Sequence, residues 1–414
     1  MTIKTLKRLS ACALLCLYAA QLNASGFALY EFSARGNAMG GAVMANKAEP
    51  ASIASNPALI TKLEGTQVQL GTTFIRASAE VTVAGSEQRN NSNDTYVLPN
   101  FYATYQSRED LFLGIAAYSR FGSGNSYPNQ ATWLGARKAY DVKAEAISIM
   151  PVIATKLTPS LSISLGIEAM MLTLNEKIYN GGKIEIDGNG IAYGGNASML
   201  YEPQWADQWA FGLSYKSKVR QVVDGDLKSA NPAVPSDDVR GSVTLPDMFM
   251  AGLSYQATPK LTMEAGVIYT FWSSYDAIRI DYKNYKIGGL YPLSIIDEKK
   301  YRDSPRFNIG AEYALNKNWD LRAGYAYDKA AFSTDHMDTL VPIGDNHLIN
   351  LGAGYKTDVW GVDVSYTYQI GKDAYGKTTE GAPISYENSY SNMVGMSFRY
   401  KFDTPFLSTI KKSL

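Results

Sequence analysis

The sequence predicts an all-β fold, a transmembrane antiparallel barrel of about fourteen strands, on three observations. The chain opens with an export signal and holds no later apolar run long enough for a membrane helix. Most of it is a series of segments in which apolar and polar residues alternate. The connections between these segments are short and long in turn.

Residues 1–24 have the three parts of a secretory signal, expected to be cleaved. Lys4, Lys7 and Arg8 come first, Leu9 to Ala20 form the apolar run, and Leu22-Asn23-Ala24 offers a small residue at the cut. That run of about 12 residues is too short to span a bilayer as a helix. Leu9-Ser10-Ala11-Cys12 spells a lipoprotein-type box but has no apolar run before it, so lipidation there is not expected. Both cysteines, Cys12 and Cys16, lie in the signal, and the exported chain gains nothing from disulfides. Removing the signal's three cations leaves 36 Lys and Arg against 39 Asp and Glu, a net charge of −3. Nothing in this balance suggests nucleic acid or an anionic lipid surface as partner.

Ser25 to about Lys62 (residues 25–62) does not alternate. It is rich in Gly, Ala, Ser and Asn, and is either a periplasmic arm or a plug folded inside a barrel.

From about Gly65 to Phe402 the alternation is sustained, within a barrel assigned to residues 63–402. In 319–328, Trp319, Leu321, Ala323, Tyr325 and Tyr327 oppose Asp320, Arg322, Gly324, Ala326 and Asp328. The same pattern recurs in 360–369, 209–216 and 306–313. Successive strand side chains point to opposite faces, so each segment has one apolar face. A soluble sandwich would also alternate, but its strands are usually five or six residues long, and these run about 10 to 16. Aromatics crowd the segment ends, as at a bilayer interface. Short connections fall at 107–110, 157–160, 202–208, 257–260, 316–318 and 357–358. Long polar ones fall at 84–95, 122–142, 178–190, 221–241, 277–304, 331–345 and 372–388. Six short turns and seven long loops require fourteen strands with both ends in the periplasm. The last segment, Asn392–Phe402, alternates aromatics up to a terminal Phe, the form that barrel-assembly machinery recognises, and a periplasmic tail, 403–414, follows it.

With the apolar faces toward lipid, the opposite faces line the lumen, and several are not polar. Met170, Leu172 and Leu174 on the fifth strand, Ile268 and Trp272 on the ninth, and Phe112 and Tyr118 on the third point inward. They form either a path for an apolar solute or a surface that packs on a plug, and the two are compatible. No Arg or Lys ladder recurs from strand to strand, which argues against an anion channel. Catalysis has little support. His336 and His347 lie in or beside one Asp-rich outer loop, and there is no thiol or phosphate-cradling loop. No cofactor and no metal site is expected.

Three stretches resemble the FadL-type transporters of long-chain fatty acids and hydrocarbons. Ser25-Gly26-Phe27-Ala28-Leu29-Tyr30-Glu31 is followed by Gly36-Asn37-Ala38 and Gly40-Gly41-Ala42, then by Ala54-Ser55-Asn56-Pro57-Ala58. Leu245-Pro246-Asp247, 322–328, and 341–347 leading into 351–355 resemble the family as well. The resemblance covers essentially the whole exported chain. It implies a hatch inside the barrel over residues 25–62, capture of apolar ligands from outside, an inner pocket, and lateral exit where the third strand kinks. By position, Phe27 would lie at the pocket and Asn56, Pro57 and Ala58 beside the opening. The kink would fall near Ser119-Arg120-Phe121-Gly122, with Phe121 and Gly122 at the site, and Leu172, Leu174, Ile268 and Trp272 would line the path. The chain departs from the family in its third and fourth outer loops, which look short and polar for a capture groove, and in its tail.

The expected function is passive uptake of a hydrophobic small molecule, a long-chain fatty acid first, across the bacterial outer membrane, by a monomer in contact with outer-membrane lipid and without enzymatic chemistry. The rivals are uptake of an aromatic or alkane hydrocarbon, an outer-membrane hydrolase using His336 or His347, and a loop-borne adhesin.

Overall fold

A computed structural model describes residues 26–45, 47–90, 94–128, 131–287, 291–342 and 344–402. The signal and the tail read from the sequence lie outside the described residues.

The strands are β1 (Thr66–Val83), β2 (Ser86–Arg89), β3 (Tyr96–Gln106), β4 (Leu111–Ser126), β5 (Asp141–Thr158), β6 (Leu161–Tyr179) and β7 (Lys183–Tyr201). After these come β8 (Trp209–Lys216), β9 (Val219–Ser229), β10 (Asp237–Leu245), β11 (Met248–Thr258), β12 (Leu261–Thr270), β13 (Ala277–Ile287) and β14 (Tyr291–Glu298). The last are β15 (Ser304–Ala314), β16 (Trp319–Asp328), β17 (Asn346–Lys356), β18 (Trp360–Gly371), β19 (Ala374–Lys377) and β20 (Pro383–Phe402). Fourteen of them make an antiparallel wall in the order β1-β3-β4-β5-β6-β7-β8-β11-β12-β15-β16-β17-β18-β20. The wall closes where β20 pairs with β1, from Thr66 opposite Phe402 to Val83 opposite Ile384. Closure leaves no edge strand to hydrogen-bond in lipid, which is what a membrane-spanning sheet requires.

The period-two pattern orients every wall strand. On β6, Leu165 and Ile167 are 60% and 67% exposed, while Ser164 before them and Glu168 and Met170 beyond them, on the opposite face, are buried. Lipid therefore takes the apolar set. Aromatic pairs ring the rim of the short turns: Trp209 with Tyr255 at 4.4 Å, Trp319 with Tyr355 at 5.1 Å, and Tyr400 with Phe402 at 4.9 Å. His347 belongs to the opposite rim, its Nδ1 2.6 Å from the Tyr325 hydroxyl and its ring against Tyr327.

Above the apolar belt the chain differs from the expectation of long polar loops. Segments 178–190, 221–241 and 277–304 are hairpins. β6 and β7 run on to a turn at 180–182, β9 and β10 extend β8 and β11, and β13 and β14 extend β12 and β15. They pair with one another, β7–β9–β10–β13, and bury Ile184, Ile186, Leu227, Val239 and Tyr282. The alternation continues past the membrane because these strands bury one face on each other.

The N-terminal segment fills the lumen as a hatch. Its helices are α1 (Ala34–Ala38) and α2 (Ser52–Ser55), followed by a 3-10 turn, Pro57–Lys62. Ser33 caps α1 by accepting the Gly36 N–H at 2.9 Å. Gly40, at φ 66°, ends that region where a Cβ would stand 3.0 Å from the backbone of Tyr325. Asn56 caps the 3-10 turn through Ala58 N–H, and Pro57 occupies its first position, where no N–H is needed. α1 packs on β16, β17, β18, β20 and β1, whereas the 3-10 turn packs on β4 to β7, so the hatch bridges opposite sides of the wall.

Candidate functional site

The third wall strand, β4, is irregular. From Leu111 to Ser119 it pairs regularly with β5; then the register slips, with Ser119 opposite Ile147 and Phe121 opposite Ala146, so Arg120 is an extra residue. On its other side β4 pairs with β3 only from Phe112 to Ala117. Above that point β3 keeps its ladder to β1 as far as Tyr96 and has none to β4. Pro99, which has no N–H for a ladder, lies in this one-sided stretch. The wall is therefore parted between β3 and β4. The parting is a cavity of about 530 Å³ lined by Tyr96 to Pro99, by Ser119 and Phe121 to Gly124, and by Leu29 of the hatch. Gly122 and Gly124 make room there: a Cβ on Gly122 would lie 3.0 Å from the Leu29 side chain, and one on Gly124 would fall into the Tyr96 ring.

The hatch's first residues dock on this irregular strand. Leu29 N–H donates to Arg120 C=O at 2.9 Å, Gly122 N–H donates to Phe27 C=O at 3.0 Å, and Ala28 bridges to Phe121. The Phe27 ring then points into a nest of aromatics: Trp272 at 4.9 Å, Tyr275 at 5.0 Å and Phe121 at 5.9 Å between centroids. Trp272 stands so close to Gly26 that a Cβ there would be 2.2 Å from its ring.

Phe27 also lines an inner cavity of about 110 Å³, with Leu172, Leu174, Ile186, Val223, Val239, Leu245, Tyr275, Ile278 and Ile280. Two ionisable residues border it. Glu176 follows Leu172 and Leu174 on the inward face of β6, and Asp187 hydrogen-bonds Asn175. Outward residues of β6 beyond Met171 are Thr173, Asn175 and Lys177, so Glu176 stands above the apolar belt. Burial, partly offset by Lys299 and reinforced by Asp297 and Asp338, pushes its carboxyl up to about 7. Lys299 is itself engaged, 2.8 Å from Asp297 and 2.7 Å from Asp338. Burial would push its ammonium down, but Asp338, with Tyr275 and Asp297, holds it well above the usual lysine range. The loop that carries Asp338 roofs the lumen, and its Leu340 C=O accepts bonds from Ser123 and Asn125 at the top of β4.

The structure thus brings Phe27, Leu172, Leu174 and Trp272 to the inner cavity and its wall, and Phe121 and Gly122 to the parting. Trp272 stands in a 3-10 turn, Trp272–Ser274, beyond the end of β12 rather than on the strand. Ile268 faces a different and smaller space, about 20 Å³, against Tyr30, Phe32 and Met44 of the hatch. Asn56, Pro57 and Ala58 are not beside the parting, contrary to the sequence expectation. Asn56 donates to Met44 C=O and Met199 C=O, and Ala58 N–H donates to Ser198 Oγ, which places them on β7, three wall strands away. Their chemistry explains this, because a capping Asn followed by Pro builds the turn that seats the hatch. Sequence reasoning missed Glu176, Tyr275 and the apolar residues of the outer hairpins. Ile278, Ile280 and Tyr282 alternate within a stretch taken as a polar loop, and that was the available signal. It also missed the lumenal charge cluster that anchors the hatch. Glu312 lies 2.9 Å from Arg35, 2.6 Å from Arg322 and 2.5 Å from Lys47, and Arg322 reaches Asp363 at 2.7 Å. Among the described residues no group of acids and histidines could hold a metal ion.

A closed fourteen-stranded barrel, a lumenal hatch and a parted wall define an outer-membrane transport protein. The chain belongs to the family described as outer membrane protein transport protein (OMPP1/FadL/TodX), whose pattern matches residues 15–402. It is 25% identical to the long-chain fatty acid transport protein of Escherichia coli O6:H1, over 97% of this chain and 100% of that one. It is 26% identical to outer membrane protein P1 of Haemophilus influenzae, over 93% and 97%. A Pseudomonas aeruginosa FadL homologue of solved structure shares the fold at TM-score 0.80 and 16% identity, covering 91% of this chain and 100% of that one. The Pseudomonas putida toluene transporter TodX superposes at TM-score 0.67 and 17% identity, covering 92% and 99%. Two of these relatives are named as transporters, of long-chain fatty acids and of toluene, and the chain is a bacterial outer-membrane protein for uptake of hydrophobic compounds.

Proposed function

We propose that the protein takes up a hydrophobic small molecule passively, from the inner cavity out through the parting between β3 and β4, with the hatch's first residues as the gate. The observation that carries this reading is one of continuity. Phe27 lines the inner cavity and Leu29, two residues on, lines the parting, so one short segment separates the two spaces. Lateral exit is physically favourable, because each methylene delivered to lipid gains roughly 0.8 kcal/mol and never returns to water. The closed wall gives every strand two neighbours, which supports a monomer in direct contact with outer-membrane lipid.

The ligand is a long-chain fatty acid or a neutral hydrocarbon, and the charge around the cavity favours an uncharged guest. Its bordering ionisable residues are acids, and Lys299 is held by two others. A fatty acid fits in its protonated form, whereas a hydrocarbon fits at any pH. Native mass spectrometry with lipid extraction, on protein purified without added ligand, tests the reading. Co-purified fatty acid or detergent, reduced in Phe27→Ala, is the expected result. An empty barrel that conducts ions freely in a planar bilayer would sink it.

A further inference from the structure

Arg120 is fully buried, at 0% exposure, and so is Phe121 beside it, at 1%. Two successive inward residues are possible only because Arg120 is the extra residue of β4. A guanidinium drawn into the lumen costs several kcal/mol unless its hydrogens are satisfied. Here both terminal nitrogens find acceptors far from β4, while Nε, buried beside the backbone, has none. Nη1 donates to Glu168 at 2.7 Å, both Nη atoms donate to Ser217 C=O at 3.1 Å, and Nη2 donates to Pro246 C=O at 2.8 Å. Ser217 and Pro246 lie in the breaks between β8 and β9 and between β10 and β11, where the ladders are interrupted. The planar fork of Arg spreads its donors over separate nitrogens and reaches acceptors set wide apart, whereas the three donors of a lysine radiate from one nitrogen. The Arg120 main chain meanwhile receives Leu29.

We infer that Arg120 is the positioning residue that keeps the wall parted: its side chain, bolted to the far wall, holds the extra residue of β4 in the lumen and prevents β4 from extending its ladder to β3. The consequence for transport rests on the lateral-exit reading, but the geometric claim does not.

The test uses the full chain carrying Pro99→Cys and Ser119→Cys. Extending the ladder past Phe101 opposite Ala117 would bring these positions face to face on the outer surface. Disulfide yield under mild oxidation is compared with Arg120 present, with Arg120→Met and with Arg120→Lys, each first shown to be a folded barrel by heat-modifiable gel migration. Weakening the anchor by about 1 kcal/mol should raise the yield about fivefold in Arg120→Met, with Arg120→Lys between. Equal yields with and without Arg120 overturn the inference. Should Arg120→Met not fold, Arg120→Gln takes its place under the same criterion. Uptake of radiolabelled laurate by cells, before and after oxidation, judges the exit route separately. Uptake that persists through a cross-linked wall would refute lateral exit, while the role of Arg120 still stands or falls on the disulfide yield.

Discussion

Replacing Glu312 by Ala should free the hatch from the wall without unfolding the barrel. Glu312 is fully buried and receives three cations, and their fates differ once it is gone. Arg322 keeps Asp363 at 2.7 Å and Asp320 at 3.5 Å, so the wall's own charge remains paired. Lys47 is 46% exposed and can turn to water. Arg35 has no such escape. Its side chain is 2% exposed, and its other hydrogen bond is to Lys47 C=O at 3.0 Å. Removing one partner of a buried ion pair costs about 3–5 kcal/mol. Glu49 also acts on Arg35 through its charge, which argues for the lower end, about 3 kcal/mol. That corresponds to about a hundredfold rise in the undocked population of the hatch. Hydrogen-exchange mass spectrometry of peptides from 26–62 should read it as a comparable loss of protection, with wall peptides unchanged. Planar-bilayer recordings should show intermittent openings that the parent lacks. Arg35→Met combined with Glu312→Ala should recover much of the protection, because no uncompensated charge is then buried. Hatch exchange within twofold of the parent in Glu312→Ala would refute the assignment of this cluster as the anchor.

Four further outcomes follow from the site. Affinity for a neutral probe such as dodecane should fall as pH rises through about 7, because the Glu176 carboxyl, raised by burial, is protonated below that value and charged above it; Glu176→Gln should be flat in a titration from pH 5.5 to 8.5. Lys299→Met should loosen the outer roof by about 3 kcal/mol, since Asp338 loses its buried partner, and limited proteolysis between residues 331 and 342 would register it. Because the folded Lys299 lies above its unfolded value of about 10.4, its stabilisation is complete below that pH and is lost only as pH climbs through the raised value, so the parent roof should resist proteolysis equally at pH 7 and 9. Gly122→Leu should fill the parting against Leu29 and reduce cellular uptake several-fold while leaving ligand co-purification intact; equal losses of both would mean that the substitution had reached the inner cavity instead.

The wall was legible because its two faces meet different solvents. Trp319, Leu321 and Tyr325 face lipid, and Asp320 and Arg322 face the lumen, so the alternation written in the sequence is the alternation in space. All six short turns lie where the sequence put them, because a tight connection leaves no freedom in register. The outer hairpins were hidden by composition. Arg279, Asp281 and Lys283 are exposed to water beside Ile278, Ile280 and Tyr282, and such a mixture looks like a loop until the facing strand is known. The lumenal cluster was hidden for a different reason. Glu312 and Arg322 had already been read as polar lining, and one strand's pattern cannot distinguish a residue facing water from one facing a hatch.

The Asn-Pro-Ala stretch and the kink teach opposite lessons about inferring a site from position. Asn56 carries a side chain whose capping chemistry is local and builds a turn, and such chemistry says nothing of which strand that turn meets. Arg120 is invisible to any local rule, because a charged residue at the end of an apolar alternation normally marks the passage from membrane to water. Its burial becomes intelligible through the interrupted ladders at Ser217 and Pro246, since those carbonyls need donors and Arg120 supplies them. The breaks in β8–β9 and β10–β11 thus supply the acceptors that hold Arg120, and the inferred parting of β3 from β4 and the docking of Leu29 on its main chain follow from where it is held. A barrel that must open in its wall cannot leave the freed backbone groups to lipid. It can turn them inward, and here the inward turn is fixed by an arginine whose partners lie across the lumen.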